Sequence, residues 1–255
     1  MRFASLGSGS AGNCMVIEQA STRLLLDCGF SVKETIDRLK RLLIAPEDIS
    51  GILVTHEHDD HAKGAFKLAE KFNIPVWLSH GTHVMCTRYM PKTPIQINIM
   101  DSHTPFVIRD LEILPFPVPH DAREPTQFVV SDGQHKLGVL TDSGETTLHI
   151  HQMLSGSDAL VLECNHDLSM LETGPYSYAL KKRVGGHLGH LDNQSAANLL
   201  AALDNSKLKH IIAAHLSVKN NTETLAKNAL SQALSCDADW IGVATQNAGF
   251  DWRSI

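Results

Sequence analysis

The sequence predicts an α/β protein in which two β-sheets pack together with helices outside them. Three observations carry that prediction. Short apolar runs of strand length, separated by turn residues, recur through both halves of the chain. In each half they give way to segments of helical periodicity. At 255 residues and 43% hydrophobic content the chain can bury a real core, and strands mixed with helices close as packed layers. No repeat, low-complexity tract or linker interrupts it, so a single domain over residues 1–255 is expected.

The elements follow in order. "MRFASL", "NCMVIE" and "RLLLD" read as strands separated by a glycine turn and by "QAST". Ser31 is an N-cap with Glu34 three residues later, opening a helix to about Leu43. "GILVT" is a short buried strand, "AKGAFKLAEKF" an amphipathic helix and "IPVWLS" another strand. Further strands are expected at 95–99, 106–108, 111–116, 127–131 and 135–140. "DALVLE" (158–163) and "LKHIIAA" are strands, whereas "NQSAANLLAAL" and "TETLAKNALSQAL" are helices.

Composition narrows the class. A net charge of −6 gives no global basic field, so a polyanionic partner must be held by a local patch or by metals. Five cysteines at 14, 28, 86, 164 and 236 form no CxxC pair, which argues against a disulfide framework. No apolar run reaches membrane-spanning length and the N-terminus lacks a signal-peptide core, so a soluble cytoplasmic protein without a membrane partner is expected. The unusual figure is 15 histidines.

Metal-type residues sit where apolar strands end. "LLL" runs into Asp27, "GILVT" into His56, "LPFPVP" into His120, "LGVLT" into Asp142 and "HIIAA" into His215. Strand ends on one rim can converge on one point. The stretch "THEHDDH" is the densest. His56 and His58, two apart in an extended segment, face the same side. Asp60 and His61 open the next helix and point elsewhere. Two metals are implied. One takes His56, His58 and a distant histidine; the other takes Asp60, His61 and another, with a carboxylate able to bridge. Imidazole and carboxylate donors suit zinc, manganese or iron.

"THEHDDH" matches the HxHxDH motif of the metallo-β-lactamase-fold hydrolases, and Asp27, His120, Asp142 and His215 resemble that superfamily's other motifs in the same order. The resemblance covers almost the whole chain. It implies a four-layer αββα sandwich with a dinuclear site at one edge of the two sheets. By that resemblance His56, His58 and His120 hold one ion, Asp60, His61 and His215 hold the other, Asp142 bridges them, and Asp27 lies beneath.

Local stretches narrow the branch. "GSGSAGNC", "ECNHD", "GPYSYALKKR", "GHLDN" and "AHLSVKNN" resemble the YycJ/WalJ-like members, departing from them at Cys164, Ser177 and Asp192. That resemblance implies a 5′-to-3′ DNA exonuclease and hence a nucleic-acid substrate. Glu163 and His190 match a pair in the tRNA 3′-processing nucleases in which the acid orients the histidine, which protonates the leaving oxygen. Ser8, Ser10 and Asn13 in the opening loop, His166, and Ser217, Lys219 and Asn220 after the last ligand are expected to meet phosphate or substrate. The expected reaction uses a hydroxide held between two divalent ions, with Asp60 ligating one ion and orienting the hydroxide. The alternatives are a small-molecule or cyclic-nucleotide phosphodiesterase and a thioester or lactone hydrolase of the same fold.

Overall fold

A computed structural model describes residues 1–255. In chain order, β1 (Arg2–Gly7), β2 (Cys14–Gln19) and β3 (Thr22–Leu26) form an antiparallel meander. After α1 (Val32–Arg41), β4 (Gly51–Leu53) joins β3 in parallel. Next come α2 (Asp59–Ala62), α3 (Ala65–Phe72), β5 (Val76–Ser79), α4 (His80–Met85) and β6 (Ile97–Met100), with β4, β5 and β6 parallel. The second half repeats this plan. β7 (Phe106–Ile108), β8 (Leu111–Pro117), β9 (Thr126–Ser131) and β10 (Lys136–Leu140) meander. α5 (Leu148–Leu154), β11 (Ala159–Glu163), α6 (Leu168–Thr173), α7 (Tyr178–Val184), α8 (Asn193–Ala202), β12 (His210–Ala214), α9 (Glu223–Leu234) and β13 (Gly242–Val243) follow, with β10 to β13 parallel. β14 (Phe250–Ser254) returns to the first sheet beside β1.

The two seven-stranded sheets are ordered β14-β1-β2-β3-β4-β5-β6 and β13-β12-β11-β10-β9-β8-β7. Alternation along the strands divides the core into three layers. Phe3, Ile17, Leu24, Leu53, Phe128, Leu137 and Val161 fill the space between the sheets. Leu25, Ile52 and Val76 face outward against Leu39, Phe66 and Leu68 of α1 and α3. Leu160, Leu162 and Ile211 face α5, α8 and α9 through Ile150, Leu199 and Leu230. This is the αββα sandwich. No helix is long and apolar enough to cross a membrane.

Most predicted elements lie where the pattern puts them. Ser31 caps α1, its side chain accepting from the Glu34 N–H. The helix expected from residue 62 begins at Ala65, because Asp59–Ala62 forms a separate turn. Helices α4 to α6 and strands β13 and β14 were not expected. Two prolines fit inside β8 because β7 pairs only with Leu111–Ile113, so Pro115 and Pro117 have no neighbour on that side.

The loops that follow the parallel strands are stapled together by backbone. The Cys28 N–H donates to the His61 carbonyl at 2.8 Å, the Gly64 N–H to the Cys28 carbonyl at 2.8 Å, and the Asn13 N–H to the Asp60 carbonyl at 2.8 Å. This approach requires glycine at 29, where a Cβ would lie 1.9 Å from the Asp60 carbonyl oxygen. Gly29→Ala is therefore expected to destabilise the protein by about 1–3 kcal/mol, the usual cost of overpacking, and to displace Asp60. Urea unfolding alongside metal content checks this; unchanged values in both would show that the loop yields freely.

Candidate metal centre

The parallel strands of both halves end on one rim, and the polar residues follow them directly. Asp27 comes after β3, His56 three residues after β4, Asp142 two after β10, Glu163 ends β11, and His215 comes after β12. Asp27, Asp142 and His215 share a left-handed backbone, with φ of 60°, 54° and 55°. Non-glycine residues pay on the order of 1 kcal/mol for that conformation, so its recurrence on one rim marks a site that the fold holds in place.

The imidazoles converge. His58 Nδ1 lies 3.0 Å from His56 Nε2 and 3.3 Å from His120 Nε2. His61 Nε2 lies 3.1 Å from Asp142 Oδ2 and 3.4 Å from Asp60 Oδ2, which is also 3.4 Å from His215 Nε2. Donor atoms of His56, His58 and His120 fall within 4.8 Å of one another, as do those of Asp60, His61 and His215, and of His56, His61 and Asp142. Asp142 thus lies between the two histidine groups. A fourth grouping brings Asp142, Glu163, His190 and His215 together.

Asp142 Oδ2 is buried and makes no well-aligned hydrogen bond, although His61 Nε2 lies 3.1 Å away. A buried carboxylate oxygen among imidazoles, without an aligned donor, has a lone pair free to hold a cation. Nitrogen and carboxylate donors at this spacing fit divalent transition metals, and no cysteine takes part.

Burial and charge divide the histidines. Burial pushes His56 and His120 below the usual imidazole range, which keeps them neutral and able to donate a lone pair. Burial acts the same way on His61 and His215, but nearby carboxylates, Asp142 foremost, override it. They raise His61 well above its usual value and His215 to about 10. Burial would raise Asp60 and Asp142, yet the imidazoles hold both well below the carboxylate range.

A supporting layer fixes the donors. Asp27 Oδ2 lies 2.7 Å from His61 Nδ1, and Asp27 accepts from the Thr55 N–H and hydroxyl. That fixes the His61 ring with Nε2 toward the cluster. The Thr55 hydroxyl is also 2.9 Å from His56 Nδ1. His120 Nδ1 is 3.0 Å from the Gly189 carbonyl. Glu163, fully buried, lies 2.8 Å from His190 Nδ1 and accepts from the Ser143 and Leu191 N–H groups.

Several residues expected to meet substrate lie elsewhere. The opening loop does not form an anion cradle. Its Ser8, Gly9, Ala11 and Gly12 N–H groups already bond to Thr245, Asn13, Gln246 and Gly9. Ser8 is buried, and its hydroxyl accepts from the His215 N–H. Asn13 is buried against Asp60 and His61. Both therefore brace the cluster rather than face the cavity. Ser10 alone of that loop reaches it. Ser217 and Asn220 are buried, the Ser217 hydroxyl accepting from the Asn220 N–H, so these two knit their loop. Lys219 is exposed, 5.7 Å from the centre of the Tyr176 ring. His166 is buried and structures its loop through a backbone bridge to Asp192. Glu57 and Asp59 stay out of the metal groupings; Asp59 accepts from Arg88 at 2.9 Å and from Tyr89.

A cavity of about 390 Å³ opens over the cluster. Its lining includes residues that the sequence did not single out. Asp121 Oδ1 lies 3.7 Å from His58 and 3.5 Å from His120, and Asp121 also pairs with Arg183 at 2.6 Å. Arg88 lines it from the 3₁₀ turn Cys86–Tyr89 after α4, and Tyr176 lines it from just ahead of α7. The "HD" pair at 120–121 was a legible signal for Asp121. Arg88 carried none.

Residues 22–215 match the beta-lactamase superfamily domain. The exodeoxyribonuclease YycJ of Bacillus anthracis is 36% identical over 248 residues, covering 96% of this chain and 93% of the relative. The exodeoxyribonuclease WalJ of Streptococcus pneumoniae is 32% identical over 239 residues, covering 91% and 89%. Zn²⁺-bound PqqB from Methylobacterium extorquens superposes with a TM-score of 0.77 at 15% identity over 100% of both chains, a likeness of fold alone.

Proposed function

The chain belongs to the metallo-β-lactamase superfamily, beside the YycJ and WalJ exodeoxyribonucleases, and from that membership we propose that it is a metal-dependent DNA exonuclease. It is a hydrolase of that superfamily. The observation that carries this reading is the meeting of two donor groups around Asp142, one of histidines alone and one containing Asp60, with His190, held by Glu163, lining the same cavity. The donor groups supply a hydrolytic centre, and His190 supplies the proton that an alkoxide leaving group requires.

His56, His58 and His120 would hold one divalent ion, Asp60, His61 and His215 a second, and Asp142 would touch both. Zinc or manganese suits the donors, and iron is compatible with them. Bound there, the ions supply activated water near neutral pH and offset charge on phosphoryl oxygens. Asp27 keeps His61 in the tautomer that donates from Nε2. Asp60 faces the cavity beside His61 and His215, placed to orient the attacking water. His190, with Nδ1 engaged by Glu163, has Nε2 left to protonate the departing sugar oxygen. Arg88 and Arg183 line the cavity from separate elements and offer guanidinium groups to backbone phosphates.

The test is elemental analysis followed by a substrate panel. Two ions per chain are expected. Chelation should abolish DNA cleavage, and added zinc or manganese should restore it. The panel holds duplex DNA labelled at either end, single strands, RNA, a cyclic phosphodiester and a glutathione thioester. Mononucleotides released from the 5′ end would match the polarity expected from the resemblance. Thioester turnover without phosphodiester cleavage would overturn the nuclease reading.

A further inference from the structure

The cavity over the cluster has lining of two unlike kinds. One carries His58, Asp60, Asp142 and His215. The other comes from a single stretch of chain, where Tyr176, Leu180 and Val184 supply all of the apolar lining. Leu180 and Val184 are four apart in α7 and share one face, and Tyr176 lies one residue before that helix's cap, Ser177. Histidines apart, Tyr176 is the only aromatic residue lining the cavity.

This apolar face does not serve the core. α7 contains no fully buried residue, and none of the three belongs to a core layer. The helix is instead anchored by polar contacts at its margins. Arg183 pairs with Asp121 at 2.6 Å, and Lys181 Nζ donates to the Glu172 carbonyl at 2.7 Å. Cations sit over one face of the aromatic rings here, Lys219 5.7 Å from the centre of Tyr176 and Lys182 5.0 Å from that of Tyr178 in the helix. An amphipathic helix that gives its apolar side to a cavity is shaped for an amphipathic ligand.

A nucleotide at the end of a strand is such a ligand. Its phosphate belongs with the cations, and its base offers flat apolar faces. With phosphorus at the cluster, the apolar wall is what remains for the base. A volume of about 390 Å³ is enough for one nucleotide unit. We propose that Tyr176, backed by Leu180 and Val184, stacks the terminal base of the cleaved strand, so that the site takes one unpaired nucleotide at a time. This rests on the reading of the protein as a DNA exonuclease and names the substrate feature it grips. Stacking of this kind is tolerant of base identity, because every base has a π-face.

The metal-loaded enzyme, Tyr176→Ala and Tyr176→Phe would be compared on a single-stranded oligonucleotide with an ordinary terminal nucleotide and on the same strand with an abasic terminal nucleotide. Tyr176→Ala is expected to raise KM on the ordinary end by about 5- to 150-fold with little change in kcat, and Tyr176→Phe to stay near wild type. Removing the base should cost the wild-type enzyme a similar factor, so that wild type and Tyr176→Ala converge on the abasic end. A Tyr176→Ala loss of equal size on both ends, or a wild-type enzyme indifferent to the base, would overturn the stacking role. Failure of the metal-loaded wild type to cleave any DNA would overturn the nuclease reading itself, and this proposal with it.

Discussion

Replacing His190 with alanine is expected to slow DNA cleavage by ~10²–10⁴-fold while leaving an activated aryl phosphodiester close to the wild-type rate. The difference lies in the leaving group. A sugar alkoxide is a strong base and must be protonated as it departs, whereas an aryl oxide is stable without a proton. The geometry supplies a donor. His190 Nδ1 is 2.8 Å from Glu163 Oε1, and Glu163 is held by two backbone N–H groups at its other oxygen. Burial would push the His190 imidazole down, but the Glu163 carboxylate outweighs it and raises it. Glu163 is itself held at about 2 by His190 and His215 despite burial. The pair therefore favours its ionised form, with the proton on the imidazole. Because the acid form must be present, the alkaline limb of the kcat profile for DNA should lie above the ordinary imidazole range. Glu163→Gln should move that limb to lower pH. Metal content decides the rival role, since His190 also falls in a four-residue donor grouping with Asp142, Glu163 and His215. Loss of an ion in His190→Ala, or equal loss on both substrates, would make His190 a ligand rather than the acid.

The sequence made the frame of the site legible because strand ends are local. An apolar run followed at once by Asp27, His56, Asp142 or His215 needs no long-range knowledge to be noticed, and parallel strands bring such ends to one rim. The two halves were legible for the same reason. What stayed hidden depends on partners far along the chain. Strand β14 is short, and its pairing with β1 joins the two ends of the chain. Ser8 and Asn13 are hydroxyl and amide groups in a glycine-rich turn, a composition shared by anion cradles and by braces. Only the contacts to the His215 N–H and to Asp60 separate the two. Arg88 stands alone in its segment and gains its meaning from a cavity that residues from the whole chain enclose. α7 carried a visible "LKKR" run, but its apolar face is spaced too sparsely, over seven residues, to read as amphipathic before its surroundings are known.

Asp142→Asn is expected to cost at least ~10³-fold in activity and to lower the metal content of the purified protein. The substitution keeps the shape and removes the charge, so it separates packing from electrostatics. Asp142 is the main counter-charge for His61 and His215. Those imidazoles have raised folded-state values, so their contribution to stability is complete below the ordinary imidazole value of ~6.5 and is lost as pH climbs through about 10 for His215. A divalent ion at the same nitrogens must displace their protons. Metal affinity should therefore rise with pH between neutrality and that value, and binding should release protons, read as a buffer-dependent heat in calorimetry. With asparagine at 142, the two imidazoles lose the carboxylate that holds their protons. Proton release should shrink even as affinity falls. The combination matters, because a merely loosened site would bind metal more weakly with the proton count unchanged. Full metal content with near-wild-type activity in Asp142→Asn would remove this carboxylate from the position between the two ions.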